Sequence, residues 1–293
     1  MSLSRRASGR CEGAAGRVAA KRRIENKRSK SLPYNIRDAS WREASLSMTL
    51  EEETMFTKSA QYYDDIYGSA DKDYARETNK IHKIIQKNKR TDGDSLLDVA
   101  CGTGVHAGLL SKYYKVEGLD LDANMLKVAK KKYPRIRFYQ GNMINFDLGR
   151  QFDVITCLFS SIGYAKTNSN LRKAVRNMGR HLLPGGVLIV EPWFTPEQWH
   201  PGRVFALQVE KPGLRIIRMS HSGQRGKTST IEFQYLFGTS KGIEHQVEIH
   251  ELGLFLHEDY LDAFRAAGMS VTHDRKGLEG RGLYIGRKPI KQP

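Results

Sequence analysis

An α/β fold with a mostly parallel, seven-stranded sheet and an antiparallel β insert is what this sequence predicts. Three observations carry that prediction. Between residues 93 and 192, strand-like apolar runs alternate with helical patterns, which implies parallel strands joined by right-handed crossovers. The first run ends in a glycine turn, SLLDVACGTG, that opens directly into a helical pattern. After Pro192 the apolar period becomes two, as half-buried antiparallel strands require.

The elements follow in order. Residues 56–67 (FTKSAQYYDDIY) are rich in aromatics, and 71–88 have helical spacing through Tyr74, Ile81, Ile84 and Ile85. SLLDVA reads as a strand, 104–113 as a helix and KVEGLD as a strand. A helix over 122–133 opens at Asp122, whose short carboxylate suits an N-cap, and ends before Pro134. RIRFYQ and FDVITCLF are the next strands. A helix over Asn168–Leu183 is stopped by Pro184-Gly185-Gly186, and the strand VLIVEP follows. In the insert, LRIIRMSHS, STIEFQYLFG and EHQVEIHELGLF are divided by GQRGK and GTSKG, both suited to hairpin turns. A helix over 257–267 and short strands around MSVTH and GLYIGR complete the main sheet. A site is expected at the C-terminal strand ends, with the insert, 193–250, as a wall over it.

Charge and composition bound the function. The net charge is +16, but residues 1–47 hold 12 Lys/Arg against 4 Asp/Glu, so half the excess lies in a sixth of the chain. That stretch has no sustained apolar period and is expected to be a disordered tail. A transit peptide, a polyanion-binding arm and an extension upstream of a start at Met48 all remain open for it. A chain beginning at Met48 is expected to fold and turn over like the full one. Residues 48–92 then form an N-terminal helical lid, and 93–290 the sheet domain. No apolar run approaches the roughly 18 residues of a membrane helix. Cys11, Cys101 and Cys157 are too few for a disulfide framework or a zinc site, so no metal and a reducing, cytoplasmic setting are expected.

What the glycine turn holds depends on its neighbours. A bare tight turn is one alternative. A triphosphate loop would need GxxxxGK[ST], which is absent, and the dinucleotide pattern wants a glycine where Ala107 stands. Asp98 lies where its charge would crowd a pyrophosphate but serve a cationic ligand. Asp120 ends the second strand, where it can accept from both hydroxyls of a ribose. A ligand with a ribose, a positive centre and no phosphate fits both acids, and S-adenosyl-L-methionine is such a ligand.

DVACGTG, LDLDANML, QGNM and LLPGGVLIVEPW, in this order, resemble the motifs of class I methyltransferases, which have a Rossmann-like fold. The resemblance implies Asp98, Ala100, Gly102 and Gly104 around the methionine part, Asp120 on the ribose, and Met125 and Met143 beside the adenine. Asn142 stands where an acid is common, and its amide oxygen can still accept from the adenine amino group. Met125 and Met143 are equally readable as core.

Further stretches (YYDDIYGSADKDY, FSSIGYA, VEPWFTPEQW, IRMSHS, EIHELGLF and EGRGLYIG) resemble the sugar N,N-dimethyltransferases of macrolide pathways, which methylate the amino group of a dTDP-linked deoxyhexose. That resemblance implies Tyr67 and Tyr74 lining cofactor and sugar from the lid. It also implies Ser160, Ser161 and Trp193 against the acceptor, and Arg281 on a nucleotide phosphate. The tyrosines are also readable as packing and the serines as turn caps. His221 and His250 lie on insert strands and face either the site or solvent; His221 joins Tyr164 and Tyr67 as a catalytic candidate. Tyr164 stands where the family often has His, and a phenol with the usual pKa of about 10 is a poor proton acceptor at neutral pH. The expected partner is a small molecule, a nucleotide-linked aminosugar, with a homodimer as candidate assembly. An RNA methyltransferase using the basic tail, and an inactive cofactor-binding protein, are the alternatives. Against RNA, no NPPY-type motif follows the fourth strand.

Overall fold

The computed structural model describes residues 56–68 and 72–290; the expected tail and residues 48–55 and 69–71 of the expected lid lie outside the described residues. The chain from Phe56 opens with a 3-10 turn, Ser59–Tyr62, and a short helix, α1 (Tyr63–Gly68). Helix α2 (Tyr74–Asn88) starts where the Asp73 carboxylate accepts from the Arg76 amide, and it buries Ile81 and Ile85.

Strands β1 (Ser95–Val99), β2 (Lys115–Asp120), β3 (Arg137–Gln140), β4 (Phe152–Cys157) and β5 (Leu182–Val190) alternate with α3 (Val105–Leu110), α4 (Ala123–Lys132) and α5 (Asn168–Arg180). The seven-stranded sheet has the order β3-β2-β1-β4-β5-β11-β10, where β10 is Ser270–Asp274 and β11 Leu283–Arg287. Strands β1 to β5 run parallel, and β11 is antiparallel to both β5 and β10. Alternate residues of the central strands feed two cores. Leu97, Val99, Ile155, Cys157, Leu188 and Val190 enter one, while Leu96, Val154, Val187 and Ile189 enter the other. Burial on both faces explains why these strands read as unbroken apolar runs.

Helix α5 is shorter than its sequence pattern. It ends at Arg180, and β5 begins at Leu182 and passes through Pro184-Gly185-Gly186. The pairing with β4 is irregular between Phe152 and Val154, which accommodates a proline inside a strand. A side chain on Gly186 would come within 2.8 Å of the Asp153 carbonyl, so the glycine there serves strand contact.

The insert is a four-stranded antiparallel meander: β6 (Val204–Lys211), β7 (Leu214–Arg225), β8 (Thr228–Thr239) and β9 (Gly242–Gly253). Its inner face packs Ile216, Phe233, Tyr235 and Phe237 against Ile66 and Tyr67 of α1. Helix α6 (His257–Ala266) returns the chain to the main sheet. Among the described residues no helix is long and apolar enough to cross a membrane.

Candidate active site

The chain moves outward from β1 through β2 to β3 and then returns to β4 beside β1. A crevice opens where the order reverses, at the carboxyl ends of the strands. It holds a cavity of about 390 Å³, within the range of sites that enclose a small ligand.

One end of the cavity is built by the β1–α3 turn and the β2 terminus. Ala100 and Gly102 take left-handed φ values of 56° and 55°, turning the chain under the cavity. Gly102 lines it and Gly104 does not. Gly104 caps α3 at φ 77°, and a side chain there would meet Phe138 at 3.1 Å. Its glycine therefore answers to packing and backbone.

The Asp120 carboxylate accepts from the Gly102 amide at 2.7 Å and from the Asp122 amide at 2.9 Å, one bond per oxygen. Each oxygen keeps a lone pair for a hydroxyl. Burial pushes the Asp120 carboxyl up to about 6. Asp98 is buried, and one of its oxygens accepts from the Thr156 hydroxyl at 2.7 Å. Burial raises its carboxyl above the usual range, against the opposing pull of His106 and Thr156. Asn142, Met143 and Met125 close this end. The Asn142 side-chain oxygen accepts from the Ile144 amide at 3.0 Å, Met125 is buried, and Met143 packs on the core.

The other end is aromatic. Tyr67 lies 4.5 Å from Tyr63 and 5.0 Å from Phe159 between ring centres. Tyr74 meets His106 edge-on, and Trp193 and Phe194 line the far side. Ile231, Phe233, His250 and Leu252 reach in from β8 and β9. Tyr164 Oη and His250 Nδ1 are 2.7 Å apart.

A chain of charges, reaching the cavity at His106 and Arg281, joins buried Glu77 and Glu191 through Lys72 and exposed Glu279. Glu77 accepts from Lys72 at 2.7 Å and pairs with His106 Nε2 at 2.8 Å. Burial opposes its ionisation, yet His106 and Lys72 together hold its carboxyl down to about 2. Lys72 also binds Glu279 at 2.9 Å and sits 4.1 Å from the Phe159 ring centre. Arg281 Nη2 is shared by Glu279 at 2.8 Å and Glu191 at 2.9 Å. The second Glu191 oxygen accepts from the Phe159 amide at 2.7 Å.

The structure thus brings Tyr67, Tyr74, Asp98, Ala100, Gly102, Asp120, Met125, Asn142, Met143, Ser160, Ser161, Tyr164, Trp193 and Arg281 to one cavity. Besides Gly104, which lies outside the cavity, three expectations change. His221 is exposed and lies outside it, because β7 turns Ser220 and Ser222 inward and His221 outward; it is no catalytic candidate. The Ser160 hydroxyl is buried and donates to the Pro192 carbonyl at 2.7 Å, which ties the β4 and β5 ends together. Arg281 lines the cavity, and its Nη2 is held there by two carboxylates, Glu279 and Glu191, that the expected phosphate role did not include. Residues that sequence reasoning missed are Phe56, Tyr63, Lys72, His106, Phe159 and Glu191.

A family model described as a methyltransferase domain matches residues 96–186. The dTDP-3-amino-3,6-dideoxy-alpha-D-glucopyranose N,N-dimethyltransferase of Streptomyces fradiae is 42% identical over 229 residues, 78% of this chain and 89% of that protein. This chain belongs to the sugar N,N-dimethyltransferase family. The crystal structure of Streptomyces venezuelae DesVI agrees, with a TM-score of 0.75, 38% identity and coverage of 80% of this chain and 99% of that one. The SAM-bound structure of CalS10, an amino pentose methyltransferase from Micromonospora echinaspora, gives a TM-score of 0.69 at 36% identity, covering 76% and 95%.

As a member of the sugar N,N-dimethyltransferase family, the protein is an S-adenosyl-L-methionine-dependent methyltransferase. Its residues fit that cofactor: Asp120 offers two spare acceptor positions, and Asp98 is a buried carboxylate facing a cavity. An Asp120→Ala variant is expected to bind it about 1–3 kcal/mol more weakly by calorimetry, the scale of a charge-assisted hydrogen bond. Because a protonated Asp120 cannot accept through both oxygens, wild-type affinity should also fall as pH drops through about 6. Equal affinity in the variant would remove Asp120 from the ribose.

Proposed function

We propose that the protein N-methylates, twice, the amino group of a nucleotide-linked aminodeoxysugar. The observation that carries this reading is a single cavity with two unlike ends. The Asp98–Asp120 end suits a cationic nucleoside, and the aromatic end, walled by β8 and β9, suits one small acceptor. The relative from Streptomyces fradiae is named for such a substrate.

Bound at the acidic end, S-adenosyl-L-methionine supplies a methyl group on a sulfonium. The chain's residues do the positioning. Asp120 orients the ribose and Asp98 faces the positive methionine end, with Met125, Asn142 and Met143 around the adenine. Tyr67, Ser161 and Trp193 enclose the acceptor, and the left-handed Phe159–Ser160 pair fixes its floor. The described residues between Phe56 and Asn88, Tyr74 among them, serve as the lid. Holding amine and methyl in line converts an encounter into an effectively unimolecular step. In this reading Arg281 sets the shape of the rim through Glu191 and Glu279.

The assembly proposed is a homodimer through the outer face of the insert, where Val204, Ile217, Met219, Leu236, Val247 and Ile249 are all exposed.

The test offers a dTDP-amino-deoxyhexose and total RNA side by side with labelled cofactor. The sugar should gain one and then two methyl groups, and light scattering on the same preparation should give twice the chain mass. Label in RNA alone would overturn the substrate, and a monomer mass the assembly.

A further inference from the structure

An amine that is to attack a methyl group must first lose a proton, since an ammonium has no lone pair. Among the groups that line the acceptor end, Tyr164 is half-buried, and loss of solvent around its phenol pushes it well above the usual range. Alone it is a poor acceptor. It does not stand alone: His250 Nδ1 lies 2.7 Å from its oxygen.

The surroundings of His250 select its tautomer. Its Nε2 is buried, has no hydrogen-bond partner, and lies 3.7 Å from Glu248 Oε2. Glu248 is itself buried. One of its oxygens accepts from the Thr57 amide at 3.0 Å and from the Ser59 hydroxyl at 2.8 Å. Burial opposes ionisation of Glu248, but His250, Ser59 and Thr57 together hold its carboxyl below the usual range. A ring N–H facing a carboxylate is attracted, whereas a lone pair facing it is repelled. The proton of the neutral ring therefore sits on Nε2, and Nδ1 accepts from the phenol. The phenol oxygen keeps its lone pairs for the cavity.

We propose that Tyr164, His250 and Glu248 form a proton relay that deprotonates the acceptor amine. This rests on the amine-methylating reading above. The ammonium N–H bond breaks and its proton passes to Tyr164 Oη as the phenol proton passes to His250 Nδ1. The amine loses one proton, the imidazole gains one, and the phenol is unchanged. Glu248 offsets the charge of the imidazolium. The freed electron pair forms the N–C bond while the C–S bond of the sulfonium breaks and its electrons stay on sulfur. The imidazolium yields its proton to water between turnovers.

Other titratable or charged groups face the relay. Tyr63 and Tyr67 from α1 and Tyr235 from β8 are phenols whose ionisation burial opposes. Arg218 from β7 stacks on Tyr67 and Phe233. Asp120 titrates near pH 6, so the rates are read at saturating cofactor.

The experiment compares kcat across pH for wild type, Tyr164→Phe, His250→Gln and the double variant. At pH 7 each single variant should fall about a hundredfold, the low end of a general-base contribution. The double variant should fall no further, because both residues act in one step. The gap should close as pH rises toward the amine's own pKa, where solvent has already taken the proton. A loss that is additive, or that is the same at every pH, would overturn the relay. Nitrogen NMR of the wild-type histidines reads the relay without any acceptor. A proton on Nε2 of His250 is expected, and a proton on Nδ1 would overturn the relay even if the substrate reading holds. Failure of the wild type to methylate the aminosugar, with Nε2 protonated, would count against the substrate alone.

Discussion

Glu191→Ala should unfold at a temperature roughly 6–20 °C below wild type, the equivalent of about 3–5 kcal/mol in a domain of this size. Glu191 is fully buried, and its two oxygens hold the Arg281 guanidinium and the Phe159 amide. Removing it leaves a half-buried cation with Glu279 as its remaining carboxylate and an amide with no acceptor. Arg281 Nε is already buried without a partner. A Glu191→Met/Arg281→Met double variant should regain much of the loss, because removing both charges lifts the desolvation cost of each. A thermal melt of the three proteins decides. A fall of under about 2 °C for Glu191→Ala would mean that the charge chain contributes little to stability.

Asp98→Asn is expected to move two measurements in opposite directions. Burial raises the Asp98 carboxyl, so the folded protein binds more protons there than the unfolded chain between the two pKa values. The contribution of this group to stability therefore declines as pH rises through that window. The variant has no such proton to lose, so without cofactor it should melt above wild type at pH 7 and approach it in acid. Its affinity for S-adenosyl-L-methionine should fall by about 1.5–3 kcal/mol, roughly 10–150-fold, as a charged partner is lost. Scanning calorimetry with and without cofactor reads both. A lower melting temperature with unchanged affinity would assign Asp98 to the fold and not to the ligand.

The central fold was legible because its strands are buried on both faces, so SLLDV and VLIV announce themselves as apolar runs. Strand β6 was not legible. Along Val204–Lys211 only Val209 is buried, so no alternation exists to be read. The end of α5 was overshot because Pro184-Gly185-Gly186 signals a stop in any context, while here a strand irregularity absorbs it.

In the site, Asp98 and Asp120 stood out as acids ending apolar strands. Glu191 ends VLIV in the same way, and that signal could have found it. His221 and His250 were indistinguishable by sequence, since each lies on an alternating strand whose inward parity depends on pairing. Register settles it: His221 pairs with Glu232 and so falls beside exposed Ile249, whereas His250 pairs with Ile231 and shares its inward face. Pro192, which holds Ser160, and Glu191, the buried partner of Arg281, lie about 30 and 90 positions away in sequence, beyond any local pattern.

The insert is hydrogen-bonded as a sheet of its own, separate from the sheet that carries Asp98 and Asp120. Its three apolar side chains in the cavity, Ile231, Phe233 and Leu252, come from two strands whose ladder is held by backbone bonds. Those positions lie apart from the β1–α3 turn to which the proposed reading assigns the methyl donor. Under the proposed reading the acceptor wall can drift while the donor end is kept, and a small library at 231, 233 and 252 is a short route to retargeting the enzyme toward another amine.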